Sequence, residues 1–159
     1  MPGAGGFDIG AIAASASAAV RSVGDEQWPF AIAEVASALQ GQLSSPGVLR
    51  AVAKQVDDIA HDQNCIAVLG ASSSGDQLAG AAVAETTNGL HLFRPSEPAE
   101  SVLIVDTLLA SGVQILRAAR SARTAGARRV VGLALIADRD GIEMCRAELP
   151  DGVVSLAEF

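Results

Sequence analysis

The chain reads as an α/β protein: a mainly parallel, Rossmann-like sheet flanked by helices, with a helical N-terminal part. Three observations predict it. From Cys65 onward, short apolar runs of strand length alternate with helical stretches, the rhythm of a parallel sheet. Runs such as Val102–Val105 are Val, Leu and Ile without polar interruption, as in strands buried on both faces. Before Cys65 only helical spacing is found.

The elements follow in order. Asp8 to Val20 carries Ile9, Ile12 and Val20 among alanines at helix-compatible spacing, and Gly24 breaks the pattern before Asp25 opens a second helical stretch. Ser45-Pro46 places a capping hydroxyl before a first-turn proline, starting a third helix with the apolar stripe Val48, Leu49, Val52, Val56 and Ile59. Then come a strand at Cys65–Leu69, a helix from about Gly75 to Glu85, strands at Leu90–Phe93 and Val102–Val105, a helix from about Val113 to Ala125, and strands at Arg129–Ile136 and Val153–Leu156. Cys145 falls in a late helical stretch, and Arg94 to Ser101 is a Pro/Glu/Ser loop. With no internal repeat or linker, residues 1–159 are expected as one domain, with 1–62 mainly helical and 63–159 the α/β core.

Composition narrows the function classes. A net charge of −7 disfavours nucleic acid or an anionic membrane surface as partner, since both need a basic footprint. Half the residues are hydrophobic and only 3% aromatic, so the helices should pack closely through small side chains. Cys65 and Cys145 have neither disulfide density nor metal-ligand spacing and read as ordinary thiols. The opening MPGAGGFDIG lacks a basic stretch before an apolar one, and the expectation is a cytoplasmic chain with no membrane association.

Two constellations carry chemistry. In VLIVDTLLASG, Val102 to Gly112, a buried strand delivers Asp106 to the carboxyl edge of the sheet, and Ala110, Ser111 and Gly112 then lead into a helix. Free N–H groups at that helix start, the Ser111 hydroxyl and a glycine permitting close approach suit an anion, while a carboxylate suits vicinal hydroxyls. The two halves fit a ribose 5-phosphate. In LGASSSGDQLAG, Leu69 to Gly80, a strand meets three serines and a glycine before an apolar helix. That turn either caps its own helix or offers a second anion site.

The first segment resembles the phosphoribosyl-diphosphate signature of the type I phosphoribosyltransferases: a hydrophobic strand, two acids, two residues, then Thr-Thr-Gly-x-Thr. Asp106 fits the first acid, Thr107 replaces the second, Ala110 and Ser111 stand for the Thr pair, Gly112 matches, Val113 is the free position, and Gln114 stands where the last hydroxyl is expected. By the same resemblance Ser72, Ser73, Ser74 and Gly75 occupy the place of the diphosphate loop. Arg94, ending the next strand, resembles a basic residue of the orotate phosphoribosyltransferases that would hold diphosphate, against a reading as a solvated strand-end charge. Arg139, in the Asp138-Arg139 segment, resembles their base-side arginine, against a reading as a surface ion pair. His91 carries no catalytic weight. The mobile basic loop of the orotate enzymes is replaced by Pro95 to Glu100, which has two prolines, two acids and no lysine; the only lysine of the chain is Lys54.

The resemblance therefore implies a protein that binds phosphoribosyl diphosphate or a nucleotide, with magnesium bridging diphosphate and ribose. It implies transfer of ribose 5-phosphate to a pyrimidine-type base such as orotate, in a homodimer. No catalytic residue and no protein metal ligand is assigned. The short loop and Thr107 favour the alternative, a non-catalytic phosphoribosyl- or nucleotide-binding regulatory or structural subunit.

Overall fold

The computed structural model describes residues 8–24, 26–97 and 99–159. Its elements run α1 (Ile9–Arg21), α2 (Trp28–Leu43), α3 (Pro46–Asp62), β1 (Ala67–Gly70), α4 (Ser73–Glu85), β2 (His91–Leu92), β3 (Ser101–Leu109), α5 (Val113–Thr124), β4 (Arg129–Ala137), α6 (Arg139–Glu148) and β5 (Val153–Glu158). The five strands form one sheet in the order β2-β1-β3-β4-β5, every neighbouring pair parallel. The expected α/β class and parallel sheet are therefore present.

Helix starts follow their sequence signals. Asp8 caps α1 by accepting the Ala11 N–H at 3.0 Å, and Asp138 caps α6 by accepting that of Gly141 at 2.9 Å. Pro46 occupies the first turn of α3 as expected, but the Ser45 hydroxyl makes no capping bond. The second helix begins at Trp28; Asp25, expected to open it, lies outside the described residues.

Helices cover both faces of the sheet. On one face Val52 and Val56 of α3 and Leu78 of α4 pack on Leu103 of β3 and Leu133 of β4. On the other, Ile115 of α5 with Ile142 of α6 and Leu149 just after it packs on Val102, Ile104 and Val130. A third cluster joins Ala13, Ala16, Val35 and Leu39 of α1 and α2 to Ile136 and Phe159 at the strand ends. Burying each of these aliphatic side chains contributes about 1.5–3 kcal/mol. Between α1 and α2 the packing is looser than composition implied: Ala11, Ile12, Ser15, Ala16 and Ala19 of α1 and Glu34, Val35 and Ala38 of α2 line a cavity of about 310 Å³.

Besides small differences at β2 and β5, three boundaries depart from the sequence expectations. Cys65 precedes β1 and is buried in the connection from α3, its N–H donating to Ala60 O at 2.8 Å. α4 begins at Ser73, two residues earlier than expected, because Ser72 caps it. β3 continues through Leu109, so Asp106 is paired with Ala134 inside the strand rather than placed where the chain leaves the sheet. The polar pair Asp106-Thr107 interrupts the apolar run without interrupting the ladder to β4.

Candidate functional site

β1 leads leftward to β2 and β3 leads rightward to β4, so the turns after β1 and β3 open on a common crevice where the strand order reverses. β1 ends at Gly70, opposite Val105, while β3 runs on. The Ala71 N–H donates to Val105 O at 2.9 Å, and beyond that point the β1 side of β3 faces the serine turn. Two glycines permit the approach. A Cβ on Gly75 would lie 2.5 Å from Val105 O, and one on Gly70 would lie 2.2 Å from the Asp76 amide nitrogen. The start of α4 is thereby pressed against β3 at Asp106.

The two sequence constellations meet there in a hydrogen-bonded cluster. The Ser72 hydroxyl donates to Asp106 Oδ1 at 2.7 Å and accepts the Gly75 N–H at 3.1 Å. Ser74 Oγ lies 3.1 Å from both Ser72 Oγ and Thr107 Oγ1. Asp106 Oδ1 also accepts the Thr107 N–H at 2.8 Å, a donor that points to the side where β1 has ended. Asp106 is 5% exposed. Burial pushes its carboxyl above the usual carboxylate range; the Ser72 and Thr107 bonds pull it back, and the nearby Asp76 charge raises it further.

The loop after β3 forms a cradle. Asp106, Ala110, Ser111, Gly112, Val113 and Gln114 line a cavity of about 100 Å³, with Leu108, Leu109 and Ile115 completing it. That is space for about three waters, the size class of a phosphate group. Gly112 is the N-cap of α5 at φ +79°, with no side-chain cap and no acid in the first turn. The Ser111 hydroxyl accepts the Val113 N–H at 3.5 Å. α6 seats the loop from behind: a Cβ on Gly141 would lie 1.9 Å from Ala110 O, and one on Gly112 would lie 2.2 Å from Cys145 Sγ. The Cys145 thiol donates to Gly112 O at 3.7 Å, and burial pushes its pKa up.

Ser72, Ser73 and Ser74 line a separate open groove of about 460 Å³ with Gln40 of α2 and Gln77 of α4. Ser72 on the groove and Asp106 on the cradle are hydrogen-bonded to each other, and the two spaces share no lining residue. Thus six of the seven residues expected around the ribose phosphate share one cavity, and Thr107 turns instead to Ser74. Arg94 and Arg139 line neither space. Arg94 lies exposed, 3.9 Å from Glu97, and Arg139 is exposed at the first turn of α6. His91 is exposed on β2. Gln40, Gln77, Gly141 and Cys145 were not foreseen as site residues; the spacing of Gln77 one turn after Ser73 was the one signal available for them. No group of three or more His, Cys, Asp or Glu side chains able to hold a metal occurs among the described residues. No helix among them is long and apolar enough to cross a membrane.

A five-stranded parallel sheet with paired turns at the reversal of strand order defines the class as a Rossmann-like α/β fold. More particularly, the chain has the type I phosphoribosyltransferase fold. It is similar to orotate phosphoribosyltransferase from Aeropyrum pernix at 25% identity, with TM-score 0.58 over 76% of this chain and 74% of that one. It is also similar to the orotate phosphoribosyltransferase of Mycobacterium tuberculosis in complex with inorganic phosphate (18% identity, TM-score 0.64, 76% of each chain). An APRTase from Giardia lamblia complexed with 9-deazaadenine matches at 22% identity, TM-score 0.62, over 76% of this chain and 84% of that one. No family model and no curated protein sequence matches the chain.

Proposed function

We propose that this chain binds the ribose 5-phosphate moiety of phosphoribosyl diphosphate or of a nucleotide. The observation that carries the reading is the cavity formed by Asp106 and residues 110–115, where a carboxylate and an uncapped helix start face one phosphate-sized space. The amides around Gly112 and the Ser111 hydroxyl take the phosphate oxygens. Asp106 accepts from the ribose hydroxyls. The neighbouring folds include one enzyme, the orotate phosphoribosyltransferase of Mycobacterium tuberculosis, solved both with inorganic phosphate and with 5-phospho-α-D-ribosyl 1-diphosphate, which supports the ligand class.

The resemblance extends the reading to a cytoplasmic homodimer and to a pyrimidine-type base such as orotate. Arg94 and Arg139 stand outside both spaces, so the geometry favours binding over ribosyl transfer. Magnesium has no protein cage here: Asp106 is one carboxylate, and its Oδ1 already accepts from Ser72 and Thr107. The ion would reach the site on the ligand's own diphosphate and hydroxyl oxygens.

Calorimetric titration with phosphoribosyl diphosphate and magnesium tests the reading, with Asp106→Asn as control. Saturable heat that weakens at least tenfold in the variant is expected. Absence of heat at several temperatures would overturn it. A parallel assay for diphosphate release with orotate is expected to show no turnover.

A further inference from the structure

The two ends of the sheet differ in sign. Helices α4 and α5 start at the carboxyl ends of the strands, and α3 and α4 finish at the amino ends. From Asp62 and Glu85, the last residues of α3 and α4, the chain enters β1 through Cys65 and Ile66 and β2 through Asn88 to Leu90. Residues of both connections line one cavity of about 180 Å³. It lies at the far end of α4 from the Ser72–Asp106 contact, about 20 Å away at 1.5 Å per helical residue.

Three sources of negative potential converge on this cavity. The carboxyl end of a helix carries a partial negative charge, which a basic side chain in the last turn offsets. α4 has no basic residue there and α3 has only His61. The third source is Asp57, 1% exposed and in the cavity wall. Its Oδ2 accepts from the Thr87 N–H at 3.1 Å and from Asn88 Nδ2 at 3.0 Å. The Thr86 hydroxyl accepts the N–H groups of Asn88 and Leu90, at 3.2 and 3.1 Å, so its own proton is left for Asp57 Oδ1 at 2.6 Å. Every partner of Asp57 is thus a neutral donor, as an ionised carboxylate requires. Asp57 enters none of the ion pairs among the described residues. Buried charges are ordinarily met by an opposite charge. The cations of the surrounding elements are engaged elsewhere or stand in solvent: Arg50 pairs with Glu85, Arg129 donates to Gln63 O and to Cys65 Sγ, and Lys54 is exposed. None of the three lines the cavity.

The rest of the wall limits which cation fits. His61, Asn64 and Asn88 add an imidazole and two carboxamides, all able to accept, and Ala60, Ile66 and Leu90 supply an aliphatic side. Asp57, His61 and Cys65 do not converge closely enough to share a metal ion. The volume is that of about six waters, room for a charged head with a short hydrocarbon body. We infer that this cavity is a binding site for a small organic ammonium ion, its head toward Asp57 and the two helix ends and its alkyl part against Ile66 and Leu90. The site is independent of the ribose 5-phosphate reading, since the two cavities share no residue.

The full chain, isotope-labelled, is titrated at neutral pH with butylammonium chloride and followed by backbone amide shifts, with 1-butanol, butyrate and magnesium chloride for comparison. Butylammonium is expected to shift the amides of Asn64, Ile66, Asn88 and Leu90 saturably and to leave those of Ser111 to Val113 in place. A dissociation constant on the order of 1 mM is within reach of five non-hydrogen atoms. Butanol, the same body without the charge, is expected to bind at least tenfold more weakly, and butyrate not at all. Asp57→Asn, close to isosteric, is expected to weaken butylammonium at least tenfold. No saturable shift at the cavity, a margin over butanol or a loss in Asp57→Asn of less than tenfold, or magnesium binding there more tightly than butylammonium would each overturn the inference. Should Asp57→Asn not fold, the margin of butylammonium over butanol in the wild type decides it. A parallel titration with ribose 5-phosphate reads the cradle separately, so either site can fail while the other stands.

Discussion

The Ser72 hydroxyl has one proton, and it goes to Asp106; its lone pairs take the Gly75 N–H and face Ser74. Replacing it in Ser72→Ala removes the helix cap, at about 1 kcal/mol, measured by denaturant unfolding. The same change deprives Asp106 of a bond that favours its ionised form. Asp106 already holds its proton more tightly in the fold than in the unfolded chain. Stability therefore falls as pH rises from the ordinary carboxylate range through the raised folded value, and is level above it. Asp106→Asn is expected to abolish that slope, and Ser72→Ala to move it to higher pH; unfolding midpoints across the acid-to-neutral range decide both. Asp57 is a contrasting buried carboxylate, 1% exposed and bonded to Thr86 Oγ1 at 2.6 Å, Thr87 N at 3.1 Å and Asn88 Nδ2 at 3.0 Å. It ties α3 to the turn after α4. Asp57→Ala strands these donors and is expected to cost about 3 kcal/mol.

At the level of elements, α6 is the seat of the phosphate loop. Gly141→Ala drives a methyl into Ala110 O and is expected to destabilise by about 3 kcal/mol, with ligand affinity lost even under conditions where the variant remains folded. The sequence made some of these elements legible and concealed others. The run Val102–Val105 read clearly because strands buried on both faces leave no polar positions, whereas Asp106 and Thr107 broke that pattern while the ladder to β4 continued. Ser72 as cap of α4 was legible as one of two alternatives, because the motif is local. Cys145 reads as an ordinary thiol in a helical stretch and Gly141 carries no signal, since the approach of α6 to residues 110–112 is set by the sheet and not by the neighbouring sequence. Gln40 carried no signal at all: its partner is on another helix. Arg94 and Arg139 enter the expected site only through the family resemblance; a strand end fixes only the backbone, and an exposed arginine is free to turn to a neighbour, as Arg94 does to Glu97.

Across the whole molecule, the cores of the sheet faces and the smaller cluster under α1 and α2 differ in content. The latter has a smaller buried set, Ala13 and Ala16 with Val35, Leu39, Ile136 and Phe159, and its remaining members are only partly buried. Amide hydrogen exchange is expected to show α1 opening well below the global unfolding free energy, while β3 and β4 exchange only by global unfolding. A ligand held at 100-fold its dissociation constant stabilises the folded state by about 2.7 kcal/mol. For a chain of this length that corresponds to a rise in melting temperature of about 5 to 10 °C, absent in Asp106→Asn. The close contacts of Gly112 with Cys145 and of Gly141 with Ala110 also govern kinetics. A loop wedged against a helix on one side has its amides aimed before any phosphate arrives, so encounter is not followed by a slow ordering step. Association of different phosphate ligands should then proceed at similar rates, and their affinities should separate almost wholly in how long each stays.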